Sequence, residues 1–347
     1  DAVLIITFQE TVDEAYLFNS SHLSISNETA FHGLAGVSLS GALLLKNRWE
    51  AQIYFLKLTE VQRHYAHLTS SQPGGDGVQG YFHMSNKVVR DMAGNFNRDL
   101  FNIPLVTFPD IVHPFVRNVT IQLGNGTLHI EFSESIEPSA VFLHKMYVSN
   151  VEEHKNISLA GATFSTEYEF LTIYLTEEQR VSSILVSGTS GGDGNHAVFD
   201  IETNATFDLA YNGIYEQHGI KIHELEDDYH PTIINASFNF STGVLVLESS
   251  ETVDASSVNL AKVFISNVSD SQDTQLSKIF YTEVKPNTFI QDQAIVYQYD
   301  LPQISIRVSE KQRQVILGMS SKGGVNGDGG QVVVDTLSQL FKDIAQN

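Results

Sequence analysis

Apolar and polar residues alternate along two similar stretches of the chain. The first runs Asn118-Val-Thr-Ile-Gln-Leu123, and the second runs Asn235-Ala-Ser-Phe-Asn-Phe240. Alternation with a period of two places successive side chains on opposite faces of a β-strand. Each stretch is therefore predicted to be a half-buried strand, with Asn118 or Asn235 on the face that points away from the core.

Other short apolar runs recur along the chain, separated by Gly, Asn, Asp and Ser. Short strands with frequent turn signals are typical of antiparallel β-sandwiches rather than of α/β units. The predicted strands are residues 3–8, 128–132, 171–175, 184–186, 244–247, 304–308 and 332–334. The expected fold class is all-β, with three tandem immunoglobulin-like antiparallel β-sandwiches.

One helical signal interrupts the β pattern three times. Thr59, Thr176 and Ser309 each precede a Gln by three residues, which is the spacing of a capping box at the start of a helix. We expect one short helical turn per domain at these places. An Arg follows in each turn (Arg63, Arg180, Arg313). It is expected to pair with carboxylates of its own repeat, and a role as a ligand clamp is the alternative.

Several other motifs also occur three times, at intervals of roughly 120 residues, far longer than the period of solenoid repeats. An apolar strand leads into an acidic turn, and a later Asp-x-Ala-x-Asn motif closes each repeat. The acidic turns begin at Glu10, Glu134 and Glu251, and the closing motifs begin at Asp91, Asp208 and Asp343. The chain is therefore predicted to contain three tandem domains, at residues 1–109, 110–226 and 227–347.

The segments that join the repeats should supply the last strand of one domain and the first strand of the next. These strands are expected at residues 102–108, 115–123, 219–225 and 232–240. The first domain is then expected to lack its first strand, and the third its last strand. Either strands of neighbouring subunits complete these domains head to tail, or the sequence is a stretch of a longer polypeptide with more repeats. The third repeat also carries an insertion near residues 283–303, expected to be a hairpin or to pair with another subunit through residues 294–299.

The composition limits the classes of partner. A formal net charge of −21 disfavours binding to nucleic acid or to anionic membranes, and the absence of Cys excludes disulfides and thiolate metal sites. No apolar run is long enough to span a membrane. Because the chain begins at Asp1 without a signal-like segment, we expect a mature or internal fragment.

The chain carries more Asn-x-Ser/Thr sequons than the roughly three or four that chance would give. This excess favours a secreted, N-glycosylated protein at a cell surface or on an appendage. The predicted glycosylation sites are Asn19, Asn27, Asn118, Asn125, Asn156, Asn204, Asn235, Asn239 and Asn267.

The acidic residues suggest two kinds of chemistry. Glu134 with Glu137, or Glu10 with Asp13, could form a glycosidase pair. Repetition of the motif in every domain favours a role in folding, so no enzyme activity is expected. Structural calcium is the open alternative, because carboxylates in the Gly-Gly-Asp-Gly turns and at the joins could bind a hard cation. The calcium candidates are Asp76, Asp110, Asp193, Asp227, Asp228 and Asp328. Apart from N-linked glycans, no other cofactor is expected.

The chain resembles a known class of repeat through residues 132–137 (Phe-Ser-Glu-Ser-Ile-Glu), 175–180 (Leu-Thr-Glu-Glu-Gln-Arg) and 91–95 (Asp-Met-Ala-Gly-Asn), together with the Gly-Gly-Asp-Gly turns. These motifs are similar to those of the immunoglobulin-like repeats of large cell-surface proteins, including the cyanobacterial repeat associated with swimming motility. Ser249 departs from this pattern, because the other two repeats have Phe there. The resemblance implies an extracellular structural or adhesive protein without catalytic residues.

The expected function is that of a structural subunit of an extracellular, N-glycosylated filament or appendage, assembled head to tail with other copies of itself. The alternative is a cell-surface adhesin or carbohydrate-binding module, in which Trp49, Tyr297 or Tyr299 could stack on a sugar.

Overall fold

The computed structural model describes residues 2–27, 36–45, 52–151, 153–266, 295–297, 300–320 and 331–347. This part of the chain is mostly β, with antiparallel sheets and three helices. Contacts group it into two compact units. The first comprises residues 1–121, 127–174 and 198–223, and the second comprises residues 122–126, 175–197 and 224–347. The predicted boundaries near residues 110 and 227 remain predictions.

The first unit begins with the elements of the first repeat. One sheet has the strand order β1-β5-β4 and a second has the order β3-β2-β6-β7. The strands are β1 (Val3–Thr7), β2 (Leu23–Ser26), β3 (Val37–Ser38), β4 (Leu43–Leu45), β5 (Ile53–Lys57), β6 (Tyr81–Met84) and β7 (Leu100–Pro104), and helix α1 spans Glu60–Leu68. Both sheets contribute to one core, in which Leu23, Leu56 and Met84 are buried.

The second repeat has the same order of elements. In the first unit, strands pair in the orders β12-β13-β9-β8 and β11-β10-β14-β15. The strands are β8 (Val116–Gln122), β9 (Thr127–Phe132), β10 (Met146–Ser149), β11 (Ile157–Ser158), β12 (Thr163–Glu167), β13 (Phe170–Tyr174), β14 (Val198–Ile201), β15 (Gln217–Lys221) and β16 (His223–Leu225). Helix α2 (Glu177–Leu185) belongs to the second unit.

The second unit contains the third repeat. Its sheets have the orders β17-β18-β21-β20 and β19-β22. The strands are β17 (Ile233–Asn239), β18 (Val244–Val253), β19 (Val263–Ser266), β20 (Ile295–Val296), β21 (Leu301–Arg307) and β22 (Val333–Thr336), and helix α3 spans Glu310–Gly318. Leu247, Ile265 and Ile316 lie in its core, so both sheets and the helix share one apolar interior.

The alternating stretches form β8 and β17, as predicted, and Asn118 and Asn235 are exposed on them. The joining segments after the first and second repeats also form strands, β7 and β15 followed by β16. The strand predicted at residues 184–186 is wrong, because Ile184 and Leu185 form the last turn of α2. The reason is the capping box of Thr176 and Gln179, which starts a helix that continues through this β-branched stretch.

All three predicted capping boxes are present. In each, the Thr or Ser side chain accepts from the backbone N–H of the Gln, and the Gln side chain accepts from the backbone N–H of the cap residue. Each helix is nine residues long, which is more than the single turn expected. The amide of the buried Gln62 also donates to the carbonyls of Ser38 and Ser40, which anchors the first turn of α1 to the chain around β3.

Candidate functional site

The first site is organised around Arg63 of α1, within the first unit. Its Nε and Nη2 donate to the Glu60 carboxylate over 2.8 and 2.7 Å, and Nη1 donates to Asp110 Oδ2 over 2.9 Å. Nη2 also lies 3.2 Å from Glu134 Oε2. The fork of the guanidinium therefore joins a carboxylate of the first repeat, Glu60, to the joining segment and to the acidic turn of the second repeat.

Glu60 is bound from its other side as well. Its Oε1 accepts hydrogen bonds from the backbone N–H and the hydroxyl of Ser135, each over 2.7 Å. These bonds and the Arg63 guanidinium hold the pKa of Glu60 below its ordinary value, although burial acts in the opposite direction. Glu60 thus stays ionised and connects α1 to the chain beyond β9.

The second site repeats this arrangement inside the second unit. Arg180 Nε and Nη2 donate to Glu177 over 2.8 and 2.9 Å, Nη1 donates to Asp227 Oδ2 over 2.7 Å, and Nη2 donates to Glu251 Oε2 over 3.1 Å. Glu177 Oε1 accepts from the backbone N–H of Thr252, as Glu60 accepts from Ser135. The geometry is therefore a property of the repeat and not of one position.

A third carboxylate completes each site. Asp110, Glu134 and Asp208 form the first carboxylate cluster, and Asp227, Glu251 and Asp343 form the second; in each, one oxygen from every member lies within 4.8 Å of the others. Asp208 and Asp343 begin the closing motif of their repeats. Each also accepts from the backbone N–H four residues later, at Asn212 or Asn347.

The clusters are deeply buried. Glu134, Asp208, Glu251 and Asp343 have exposures of 6%, 1%, 8% and 0%. Burial is the largest influence on Glu134 and Glu251 and raises the pKa of each to about 7, against the opposing effect of the neighbouring Arg. Burial also raises the pKa of Asp208 and Asp343. Side chains so withdrawn from solvent are poorly placed to reach a substrate, and Glu137, the suggested partner of Glu134, instead caps a 3₁₀ turn through Ser139.

The third helix repeats only part of the site. Arg313 Nε and Nη2 donate to Glu310 over 2.7 Å each, and Nη1 donates to the carbonyl of Phe240 over 2.9 Å. Among the described residues, Glu310 is its only ion-pair partner. In the first repeat, Glu10, the counterpart of Glu134 and Glu251, is exposed and in no ion pair with the described residues.

The calcium candidates separate into different environments. Asp110 and Asp227 belong to the two clusters, whereas Asp76 and Asp193 accept backbone hydrogen bonds from Val78 and Asn195 within their own turns. The two described Gly-Gly-Asp-Gly segments thus contain local Asx turns. Asp228 is exposed and outside both clusters, and Asp328 lies outside the described residues.

The Asn residues of the described sequons are mostly accessible. Asn27 is half-buried and its amide donates to Asp76. Asn267 lies outside the described residues, as do Trp49, Tyr299 and most of the insertion near 283–303, whereas Tyr297 is exposed. The sequon Asn residues that are exposed are Asn19, Asn118, Asn125, Asn156, Asn204, Asn235 and Asn239.

A groove of about 620 Å³ lies in the first unit beside Asn27 and helix α1. Its lining residues include hydroxyl and amide side chains, with Tyr65 as the aromatic member. Within the described part of the chain, no helix has the length and apolar character needed to cross a bilayer.

No family model matches the sequence, and no curated protein matches it either. The resemblance to cell-surface repeats therefore remains an expectation.

The repeated motifs of the sequence contain most members of these sites, but they do not indicate that these residues lie next to one another. It predicted that each Arg pairs within its own repeat, and the Arg63–Glu60 and Arg180–Glu177 pairs agree. It did not predict that the same guanidinium also binds the joining Asp and the Glu of the next repeat. The signal was present, because Arg, Glu and both Asp recur at matching places in the repeats.

Proposed function

We propose that this chain is a structural subunit of an extracellular, N-glycosylated filament or appendage, built from three immunoglobulin-like β-sandwiches. The observation that carries the proposal is the repeated Arg–carboxylate site. A buried ion-pair network that ties a helix to the following repeat twice in one chain suits a joint better than a catalytic centre. Such a joint suits a protein that must transmit force without bending at its repeats.

The sheet edges support assembly with other copies. In the second repeat β9 is flanked by β8 and β13, whereas its counterpart β1 pairs only with β5 among the described strands. Likewise β14 lies between β10 and β15, whereas its counterpart β22 pairs with β19 alone in the part of the chain that the structure describes. An unpaired strand edge can accept a further strand, and in this proposal a strand of another subunit pairs with β1 and with β22.

Charge complementarity supports the same contact. Arg313 and Glu310 reproduce the helix half of the site, and the exposed Glu10 reproduces the acidic-turn half. When helix α3 of one molecule meets the acidic turn at Glu10 of another, a further Arg–carboxylate site forms between molecules. This interaction sets the register in which the edge strands pair.

The test is sedimentation and negative-stain electron microscopy of the purified chain with Arg313→Glu, Glu10→Arg and the double variant. We expect the wild type to form fibres, each single variant to remain dispersed, and the double variant to assemble again. Wild-type chains that stay monomeric at all concentrations contradict the filament. If both single variants still form fibres, the contact between Arg313 and Glu10 is contradicted, but the filament is not.

Glycosylation is tested separately by expression in a secretory host. Mass spectrometry before and after enzymatic removal of N-glycans should show occupied sequons at the exposed strand positions Asn118 and Asn235. A secreted, folded chain with no sugar at any sequon contradicts the glycoprotein part of the proposal.

The second candidate function is binding of a carbohydrate, as an adhesin would do. The groove beside Asn27 favours it, because hydroxyl and amide side chains and the exposed Tyr65 can hydrogen-bond and stack on a sugar. Tyr65→Ala should then abolish glycan binding while fibres still form. Fibre formation lost together with glycan binding would instead assign Tyr65 to assembly.

A further inference from the structure

The second carboxylate cluster contains an unsatisfied oxygen. Asp343 is 0% exposed, and its Oδ2 has no hydrogen-bond partner. A buried carboxylate oxygen without a donor costs free energy unless something positively charged or protonated meets it. Oδ1 of the same side chain accepts from the backbone of Asn347, so the cost falls on Oδ2 alone.

The charges of this cluster are also unbalanced. Asp227, Glu251 and Asp343 are three buried carboxylates, and Arg180 is the one base paired with them among the described residues. Half of the Arg180 fork is already occupied by Glu177, which adds a further negative charge beside the cluster. When all are ionised, the three carboxylates of the cluster and Arg180 leave an excess of two negative charges in a site that water hardly reaches. Glu177, whose side chain is 36% exposed, adds a third at the edge of the site.

We propose that the cluster of Asp227, Glu251 and Asp343 binds one divalent cation, of which Ca²⁺ is the chemically matched choice. Carboxylate oxygens are the ligands that Ca²⁺ prefers, and its double charge balances the excess. Asp343 Oδ2 supplies a ligand oxygen that no hydrogen bond claims. Arg180 remains bound to Asp227 Oδ2 and Glu251 Oε2, so it fixes these carboxylates around the ion rather than replacing it.

This inference deepens the proposed function, because an ion here would stiffen a joint of the rod. The first carboxylate cluster has the same three residue types, but its Asp110 is less buried than Asp227, and its closing Asp has no free oxygen. Both oxygens of Asp208 accept from Asn212, over 2.8 Å each. The geometry therefore assigns the ion to the second cluster.

The test is calcium titration calorimetry on the full chain after EDTA treatment and dialysis, at pH 7.5. A parallel titration follows Tb³⁺ luminescence sensitised by Tyr229, which neighbours Asp227. We expect one Ca²⁺ per chain, with a dissociation constant at or below the millimolar range of extracellular calcium sites. Asp343→Asn should weaken binding at least tenfold.

Asp91→Asn is the matched control. Asp91 holds the same place in the first repeat and likewise accepts from a backbone N–H four residues later, but its Oδ2 also accepts from the Asn95 amide, and it belongs to neither cluster. The Asp91→Asn variant should bind calcium with the affinity of the wild type. If circular dichroism shows that Asp343→Asn is unfolded, Glu251→Gln takes its place in the comparison.

The inference is overturned if the wild type shows neither heat of calcium binding nor sensitised Tb³⁺ luminescence. It is also overturned if Asp343→Asn and Glu251→Gln both bind calcium as tightly as the wild type. In that case protonation of the carboxylates, rather than a bound cation, neutralises the negative charge of the cluster. Sedimentation of the same samples separates this result from a failure of the filament, because calcium binding is measured whether or not fibres form.

Discussion

Arg180 Nη1 lies 2.7 Å from Asp227 Oδ2, and the two side chains are only 6% and 1% exposed. A pair this deeply buried adds little net stability compared with apolar residues of the same size. Removing one partner, however, leaves the charge of the other buried and unpaired. The pair therefore enforces one geometry: α2 can occupy its place only when the joining segment that carries Asp227 is also in place.

Arg180→Ala is predicted to be among the most destabilising single substitutions in the second unit. Asp227 and Glu251 would lose their shared donor while remaining buried, at a cost of about 3–5 kcal/mol in the free energy of unfolding. Urea denaturation followed by circular dichroism measures the change. Arg313→Ala is the control, because the Arg at the same helix position is less buried there, with 27% of its side chain exposed, and its loss should be far smaller. Equal losses of unfolding free energy in the two variants would mean that burial of the carboxylate partners does not determine the cost of removing the Arg.

The Gly-Gly-Asp-Gly turn of the second unit offers another paired test. A Cβ on Gly191 would lie 2.1 Å from the backbone oxygen of Ile344, and the residue has φ +81°. Gly194 has φ +85° but open space around its Cβ position. Gly194→Ala should cost about 1 kcal/mol of strain.

Gly191→Ala adds a collision with backbone that cannot move aside, so its loss in thermal stability should be at least twice that of Gly194→Ala. Melting curves of the two variants measure this difference. Indistinguishable curves would show that the turn and the closing motif near Ile344 separate freely.

The local features of the fold were readable from the sequence because they depend on near neighbours. Alternation identified β8 and β17, and Thr176 with Gln179 identified the start of α2. The same reasoning misassigned Ile184, because β-branched residues favour strands on average and the helix signal lay eight positions earlier. Here the cap and the burial of Ile184 against the core determined the outcome.

The candidate sites could not be predicted as sites, because their members are far apart in the chain. Asp227 and Asp343 belong to different motifs, and only folding places their oxygens within 4.8 Å. The sequence did mark Asp227 as a calcium candidate, but it marked Asp193 equally. The two residues differ in burial, because Asp227 is buried whereas Asp193 is exposed and accepts a hydrogen bond within its own turn. Burial depends on the whole fold and could not be predicted from the local sequence.

The capping boxes predict a small, specific effect. Thr176→Ala removes the hydroxyl that accepts from the Gln179 N–H over 3.3 Å, and should destabilise the second unit by about 1 kcal/mol. Thr176→Ser keeps the hydroxyl and should restore most of the loss. Chemical denaturation of both variants provides the comparison, and a Ser variant as unstable as the Ala variant would point to packing of the Thr methyl group instead.

The raised pKa values of Glu134 and Glu251 predict how stability depends on pH. Both groups titrate near 7 in the folded chain and near 4.5 when unfolded, so between these values the folded state binds more protons. Their stabilising contribution is complete below about pH 4.5 and is lost as the pH rises through 7. In calcium-free buffer the free energy of unfolding should therefore fall between pH 5.5 and pH 8, by roughly 2 kcal/mol for each group.

Glu251→Gln provides the control for this pH dependence, because it removes one titrating group while keeping an uncharged side chain of the same size beside Arg180, Asp227 and Asp343. Its unfolding free energy should change less with pH than that of the wild type. Saturating calcium should flatten the wild-type curve in the same way, because a bound cation keeps Glu251 ionised on both sides of pH 7. A wild-type stability that rises steadily from pH 5.5 to pH 8 without calcium would contradict the raised pKa values of Glu134 and Glu251.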